Sequence, residues 1–149
     1  MLKVSDKAVD FKLKDSNNND IILSDFKGKK IILYFYPKDF TPGCTKEACD
    51  FRDNFNKFKN MVIIGISSDS VELHKKFIAK LNLPFILLSD VNKEVAKKYK
   101  VYKKKKFYGK EYFGIERTTF IIAENLKIES IFRKVKVDNH IKEVLNAIK

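Results

Sequence analysis

At 149 residues the chain is long enough to bury a core without disulfide or metal support, and it is expected to form one domain over residues 1–149. Its formal net charge of +12 admits a nucleic-acid or acidic-membrane partner, but the lysines are spread along the chain and their one cluster, Lys103 to Lys106, carries no aromatic-basic recognition motif, so neither nucleic acid nor membrane is expected as a partner. No apolar run follows the N-terminal charge or is long enough to cross a bilayer, which predicts a cytoplasmic protein, and in a reducing compartment its two cysteines, Cys44 and Cys49, suit catalysis, redox sensing or metal binding better than a structural bridge.

In chain order, Phe11-Lys-Leu-Lys alternates apolar and polar, Ser16 to Asp20 is turn chemistry, and Ile21-Ile-Leu follows, predicting an N-terminal β-hairpin. A turn at Asp25 to Gly28 precedes the continuous β-rich run Lys30 to Tyr36, the mark of a central strand covered on both faces. Ala48, Phe51, Phe55 and Phe58 then recur at helical spacing and predict a helix from about Gly43 to Lys59. Met61 to Ser67 reads as a second buried strand. Asp69 with Glu72 is a capping pair for a helix with Leu73, Phe77 and Leu81 on its apolar face, and Phe85 to Leu88 is a short strand.

Asp90 is expected to cap a helix carrying Val91, Val95 and Tyr99, and the basic segment Tyr102 to Lys110 to continue as a solvated loop through Gly109 and Gly114. Arg117 to Ala123 and Lys127 to Arg133 flank Glu124-Asn125 as a C-terminal hairpin, and Asp138 opens a last helix through Ile141, Val144, Leu145 and Ile148. The order of elements implies an α/β sandwich around a mixed sheet flanked by helices.

Both cysteines follow the strand Lys30 to Tyr36 and a Pro/Gly-rich turn, in Tyr-Pro37-Lys-Asp-Phe-Thr41-Pro-Gly-Cys44-Thr-Lys-Glu47-Ala-Cys49. A cysteine delivered to the first turn of a helix meets free N–H groups and the positive end of the helix dipole, which favour a thiolate. In a regular helix residues five apart lie roughly 8–9 Å and about 140° apart, so Cys44 and Cys49 cannot bond while that helix is intact. Read alone, Cys49 is also a small hydrophobe that would pack on the helix. Cys-x4-Cys is not a usual zinc spacing, His74 and His140 lie far apart, and glycine-rich phosphate loops are absent, so neither a metal nor another cofactor is expected.

Pro37-x-x-x-Thr41-x-x-Cys44 resembles the active-site motif of the peroxiredoxins. Thr41-Pro-Gly-Cys-Thr-Lys-Glu-Ala-Cys-Asp-Phe-Arg is similar to the bacterioferritin comigratory protein, or peroxiredoxin Q, branch, and so are Leu83-Pro-Phe-Ile-Leu-Leu-Ser-Asp90 and Tyr108-Gly-Lys-x-Tyr-x-Gly-Ile-Glu-Arg-Thr-Thr-Phe120. The resemblance implies a thioredoxin-like fold with an N-terminal addition. It also implies a thiol-dependent peroxidase that reduces hydrogen peroxide or organic hydroperoxides and is recycled by thioredoxin or a similar dithiol, in a branch with many monomers.

On that resemblance Cys44 attacks the peroxide and Cys49 resolves the sulfenic acid as a Cys44–Cys49 disulfide, so the first turns of the helix must unwind after oxidation. Arg117 brings a fixed positive charge to Cys44, Thr41 orients the peroxide, Gly43 and Cys44 supply backbone donors, Pro37 shields the thiol, and Glu47 is similar to a family glutamate that hydrogen-bonds the arginine. Taken singly, Thr41 reads as an N-cap, Glu47 as a first-turn acid and Arg117 as a surface charge. A second functional reading, a peroxide sensor that passes its disulfide to a partner protein, uses the same first oxidation. A thioredoxin-type disulfide reductase is disfavoured because Cys-x-x-Cys is absent.

Overall fold

The structure is a computed structural model that describes residues 1–149. Two short strands, β1 (Lys12–Asp15) and β2 (Asp20–Ile22), pair antiparallel with Leu13 opposite Ile21, and a 3-10 turn follows at Leu23–Phe26. Asp15 closes the hairpin, its Oδ1 accepting from the backbone N–H groups of Asn17 and Asn19 at 2.9 Å. Next come β3 (Lys30–Phe35), α1 (Pro42–Asp53) and a 3-10 turn at Phe55–Lys57, then β4 (Met61–Ser67), α2 (Val71–Leu81), β5 (Ile86–Ser89) and α3 (Glu94–Lys98). The chain ends with β6 (Tyr102–Phe107), β7 (Lys110–Ile115), β8 (Thr118–Ile122), β9 (Ile128–Phe132) and α4 (His140–Ala147).

Seven strands form one mixed sheet in the order β2-β1-β5-β4-β3-β8-β9, so the N-terminal hairpin extends the β5 edge and the C-terminal hairpin forms the other edge. β3 lies between β4, which it pairs in parallel, and β8, which it pairs antiparallel; it is an interior strand, one place from the middle of the seven. Because side chains alternate across a strand, β3 feeds two cores. Ile31, Leu33 and Phe35 join Val95, Ala96, Tyr99 and the N-terminal Ala8 and Phe11 on one face. Ile32, Tyr34 and Tyr36 join Cys44, Ala48, Phe51, Phe77 and Val144 on the other, beneath α1, α2 and α4. The run Lys30 to Tyr36 is continuously apolar for this reason.

Several boundaries differ from the sequence reading. α1 ends at Asp53 rather than Lys59: Asn54 leaves helical geometry at φ −109° and ψ 12°, and its Nδ2 donates to the Asp50 carbonyl at 2.8 Å. Phe55 is consequently exposed, while Phe58 still reaches the core. The N-cap of α2 is Ser70, whose Oγ accepts from the Leu73 N–H at 3.1 Å; Asp69 turns inward instead. Asp90 accepts from the N–H groups of Val95 and Ala96, but the helix begins only at Glu94 and Val91 is exposed. α4 starts at His140, after a left-handed Asn139, rather than at Asp138.

The largest departure is the basic segment. Tyr102 to Lys110 is not a loop: β6 and β7 form a two-stranded antiparallel sheet apart from the main one, with Lys104 opposite Phe113 and Lys106 opposite Glu111. Lysines alternate poorly on any hydropathy pattern. Their aliphatic stems and the cross-strand partners, including a Tyr102–Phe113 stack at 5.7 Å and a Lys104–Glu111 ion pair, build the ladder instead.

Candidate active site

β3 ends at Phe35, and the segment Tyr36 to Thr41 carries the chain to α1, passing through a left-handed Phe40 at φ 64°. Thr41 is the helix N-cap and Pro42 the first helical residue, a position where the absent proline N–H leaves nothing unpaired. The Thr41 side chain makes no cap bond. Its Oγ1 donates to the Lys38 carbonyl at 2.7 Å, which leaves only lone pairs to present to an incoming hydroxyl or hydroperoxide.

Cys44, 2% exposed, faces the core below α1. Arg117, in the link between β7 and β8, spans the gap between strand and helix: its Nη2 donates to Cys44 Sγ at 3.3 Å and its Nη1 to Glu47 Oε1 at 2.6 Å. The backbone holds this arm as well, because the Arg117 carbonyl accepts from the Val135 N–H at 2.9 Å. Burial works against the guanidinium charge, yet Glu47 and the Cys44 sulfur together hold Arg117 above its ordinary pKa. Gly43 provides the room, since a Cβ there would lie 3.2 Å from Arg117 Nη2. Pro37 is half-buried beside the turn.

Glu47 is buried, with Oε2 lacking a hydrogen-bond partner. Burial pushes its pKa up to about 7, against the pull of Arg117. With the unfolded value near 4.5, the folded chain holds the extra proton between these limits, so Glu47 makes the protein less stable as pH rises through this window and adds no further change above about 7. The unfolding free energy of the parent relative to Glu47→Gln is expected to fall by about 3 kcal/mol from pH 4.5 to 7.5, measured by denaturant titration at each pH. A flat difference would place Glu47 outside this titration.

Cys49 is half-buried farther along α1, and both cysteines are free thiols. The structure thus brings Cys44, Arg117, Glu47, Gly43 and Thr41 to one end of the sheet, with Pro37 on the connecting turn and Cys49 on the same helix, not bonded to Cys44.

A second polar cluster supports the turn from behind, and the sequence reading missed it. Tyr36 donates to Asp39 Oδ1 at 2.6 Å, Asp69 Oδ2 accepts from the Asp39 N–H at 2.7 Å and from Ser67 Oγ at 2.7 Å, and His74 Nδ1 lies 2.5 Å from Asp39 Oδ2. His74 Nε2 faces the Leu88 carbonyl at 3.0 Å, which only accepts, so that nitrogen carries a hydrogen. Asp39, Asp69 and His74 are close enough to share a cation. Each instead has protein partners that complete a hydrogen-bond network tying the active-site turn to β4, β5 and α2.

Nothing in the spacing of residues 36, 39, 69 and 74 announces this cluster, which only the crossover from β3 to α2 assembles. His74→Phe is expected to lower stability by about 3 kcal/mol, because Asp39 is left buried without its partner. Asp39→Asn in the same chain should recover part of the loss. Equal, additive losses in chemical denaturation would show the two residues to be uncoupled.

Comparison with known proteins identifies the family. Residues 4–131 match the AhpC/TSA family, and the chain is 51% identical to peroxiredoxin Bcp of Bacillus subtilis over 99% of its own length and 96% of that protein. The chain belongs to the peroxiredoxin family. It is also 42% identical to peroxiredoxin Bcp of Escherichia coli, over 99% of this chain and 96% of that one.

Among solved structures, peroxiredoxin Q of Xylella fastidiosa superposes with a TM-score of 0.93 at 36% identity, covering 99% of this chain and 96% of the other. The bacterioferritin comigratory protein of Xanthomonas campestris, studied for alkyl peroxide reduction, superposes with a TM-score of 0.88 at 38% identity, covering 93% and 89%. This peroxiredoxin accordingly has the thioredoxin-like fold and is a thiol-dependent peroxidase of the bacterioferritin comigratory protein branch.

Proposed function

We propose that Cys44 is the peroxide-attacking thiol of this peroxidase and Cys49 its resolving thiol. The observation that carries this reading is the bond from Arg117 Nη2 to Cys44 Sγ at 3.3 Å, which places a fixed positive charge where the attacking sulfur needs its negative charge stabilised. The Cys44 sulfur attacks the terminal peroxide oxygen, the O–O bond breaks, and the departing alkoxide or hydroxide takes a proton to leave as alcohol or water. Arg117 and the N–H groups at the start of α1 receive the developing charge, and the Thr41 hydroxyl accepts the hydroperoxide hydrogen.

Cys44 is then a sulfenic acid. Cys49 attacks its sulfur, one water is lost, and a disulfide forms. A dithiol such as thioredoxin reduces the disulfide and is itself oxidised, returning both cysteines to thiols. This reading includes reduction of hydrogen peroxide and organic hydroperoxides, and action as a monomeric, single-domain enzyme in the cytoplasm. Two free cysteines suit such a reducing compartment, and no helix is long and apolar enough to cross a membrane.

Arg117→Gln tests the assignment. It removes the charge and shortens the side chain by two atoms, so the second-order rate of Cys44 oxidation in single turnover should fall by about 10² to 10³ while binding of the reductant is unaffected. A parental rate in Arg117→Gln would remove Arg117, and the geometry built on it, from the mechanism.

A further inference from the structure

The β6–β7 hairpin presents a surface that the peroxidase chemistry does not use. It pairs with no other strand. Phe107, Tyr108, Tyr112 and Phe113 are 64%, 91%, 47% and 60% exposed, a concentration of large apolar side chains on one projection that calls for a partner. Phe107 and Tyr108 form the tip and pack edge to face at 4.4 Å. Lys106 and Lys110 flank that tip, and neither has an acidic partner, whereas Lys103 and Lys104 nearer the base are paired with Glu116 and Glu111. Lys93 and Lys97 lie over the Tyr102 ring and extend the basic surface at the hairpin's base.

The register decides what such a projection fits. Tyr102, Lys104, Lys106, Glu111 and Phe113 fall on one face of the ribbon, and Lys103, Lys105, Phe107, Lys110 and Tyr112 on the other. Exposed rings therefore occupy both faces and the end. A flat protein surface, or a row of stacked bases, covers one face and leaves the other ring set in water. An interfacial lipid layer surrounds a wedge on all sides, accepts aromatic rings at headgroup depth, and takes lysine ammonium groups at its anionic phosphates.

We propose that the β6–β7 hairpin is a membrane-surface anchor that inserts its Phe107–Tyr108 tip into the headgroup layer of anionic phospholipid, with Lys106 and Lys110 on the phosphates. This reverses the expectation that the chain has no membrane partner. β7 leads through Ile115 to Arg117, so the anchored hairpin is joined directly to the segment that carries Arg117. The anchor stands on the exposure and charge of the hairpin and does not depend on the assignment of Cys44.

Vesicle co-sedimentation of the full reduced chain tests it, with phosphatidylcholine alone and phosphatidylcholine mixed with phosphatidylglycerol. Binding is expected only to the anionic vesicles, and to weaken as salt rises. Lys106→Gln with Lys110→Gln should weaken it about 25-fold, roughly fivefold for each lysine. Phe107→Ser with Tyr108→Ser, which leaves the charge unchanged, should weaken it roughly tenfold. Both double variants should turn over a water-soluble peroxide at the parental rate.

Absence of binding to anionic vesicles overturns the proposal. So does binding unaffected by the aromatic substitutions, which would show only that a chain of net charge +12 adsorbs to polyanions. Tighter binding to a single-stranded oligonucleotide than to vesicles, or self-association lost with the tip residues, would equally overturn it by assigning the hairpin to another occupant.

Discussion

Cys44→Ser is expected to consume peroxide no faster than the uncatalysed reaction, a loss of at least about 10⁴-fold in single turnover. The serine oxygen would occupy the same site, 2% exposed, and still accept from Arg117, so the fold and the second contact of Arg117 with Glu47 should survive. What disappears is a sulfur nucleophile, polarisable enough to attack the O–O bond, which a serine hydroxyl does not replace. Unfolding free energy should change by no more than about 1 kcal/mol, since the side chain keeps its shape and gains a partnered hydroxyl. Peroxide consumption and denaturation measured on the same preparation separate the two effects. Because the chain has only two cysteines, substantial residual activity in this variant would move the attack to Cys49.

Cys49→Ser should behave in the opposite way, with the first turnover within about twofold of the parent and steady-state cycling with a dithiol reductant lost. The reason lies in how α1 is held. Its C-terminal half is fixed: Phe51 is buried and stacks on Tyr34 at 4.9 Å, and Arg52 Nη1 donates to the Leu81 carbonyl at 2.8 Å. Gly65 in β4 leaves the space that this Tyr34 ring fills, because a Cβ there would lie 2.8 Å from Tyr34 Cζ.

The N-terminal half is held by the packing of Cys44 and Ala48 and by Arg117, through its bonds to Cys44 and Glu47. Oxidation places an oxygen on the Cys44 sulfur and so disturbs one of those two bonds, and the turns from Pro42 to Ala48 are the ones expected to open and let Cys49 reach Cys44. In the parent, one equivalent of peroxide should yield a Cys44–Cys49 disulfide in peptide mapping. In Cys49→Ser the sulfenic acid should persist and be trapped by a dicarbonyl reagent. An unchanged steady-state rate would mean that a thiol outside this chain does the resolving.

The opposed demands that the proposed mechanism places on one helix, order for attack and disorder for resolution, concern residues visible in the sequence. The spacing of Thr41, Cys44 and Cys49 needs only helix geometry to show that the two sulfurs cannot meet while the helix stands. Apolar runs and their periods are likewise local properties, and they were enough to locate β3, β4, the terminal hairpin β8–β9, the N-terminal hairpin and the helices between them, together with the mixed α/β architecture.

Other features depend on atoms brought together from distant parts of the chain. The Asp39–His74 contact joins residues on either side of a strand and a helix, and Arg117 meets Cys44 only because β8 pairs beside β3. Gly43 proved to be the space for a guanidinium group as well as the start of a helix. The lysine-rich segment has no hydrophobic period because its order comes from cross-strand pairing, and the partner strand is the only thing that turns it from a charged stretch into a hairpin with an aromatic tip. The sequence by itself determined that two cysteines share the start of one helix and which layers carry them, since those rest on local patterns of polarity and helix geometry. The tertiary structure alone decided what holds the Cys44 turn in place and which side chains are left facing solvent, since each of these is set by contacts between residues far apart along the chain.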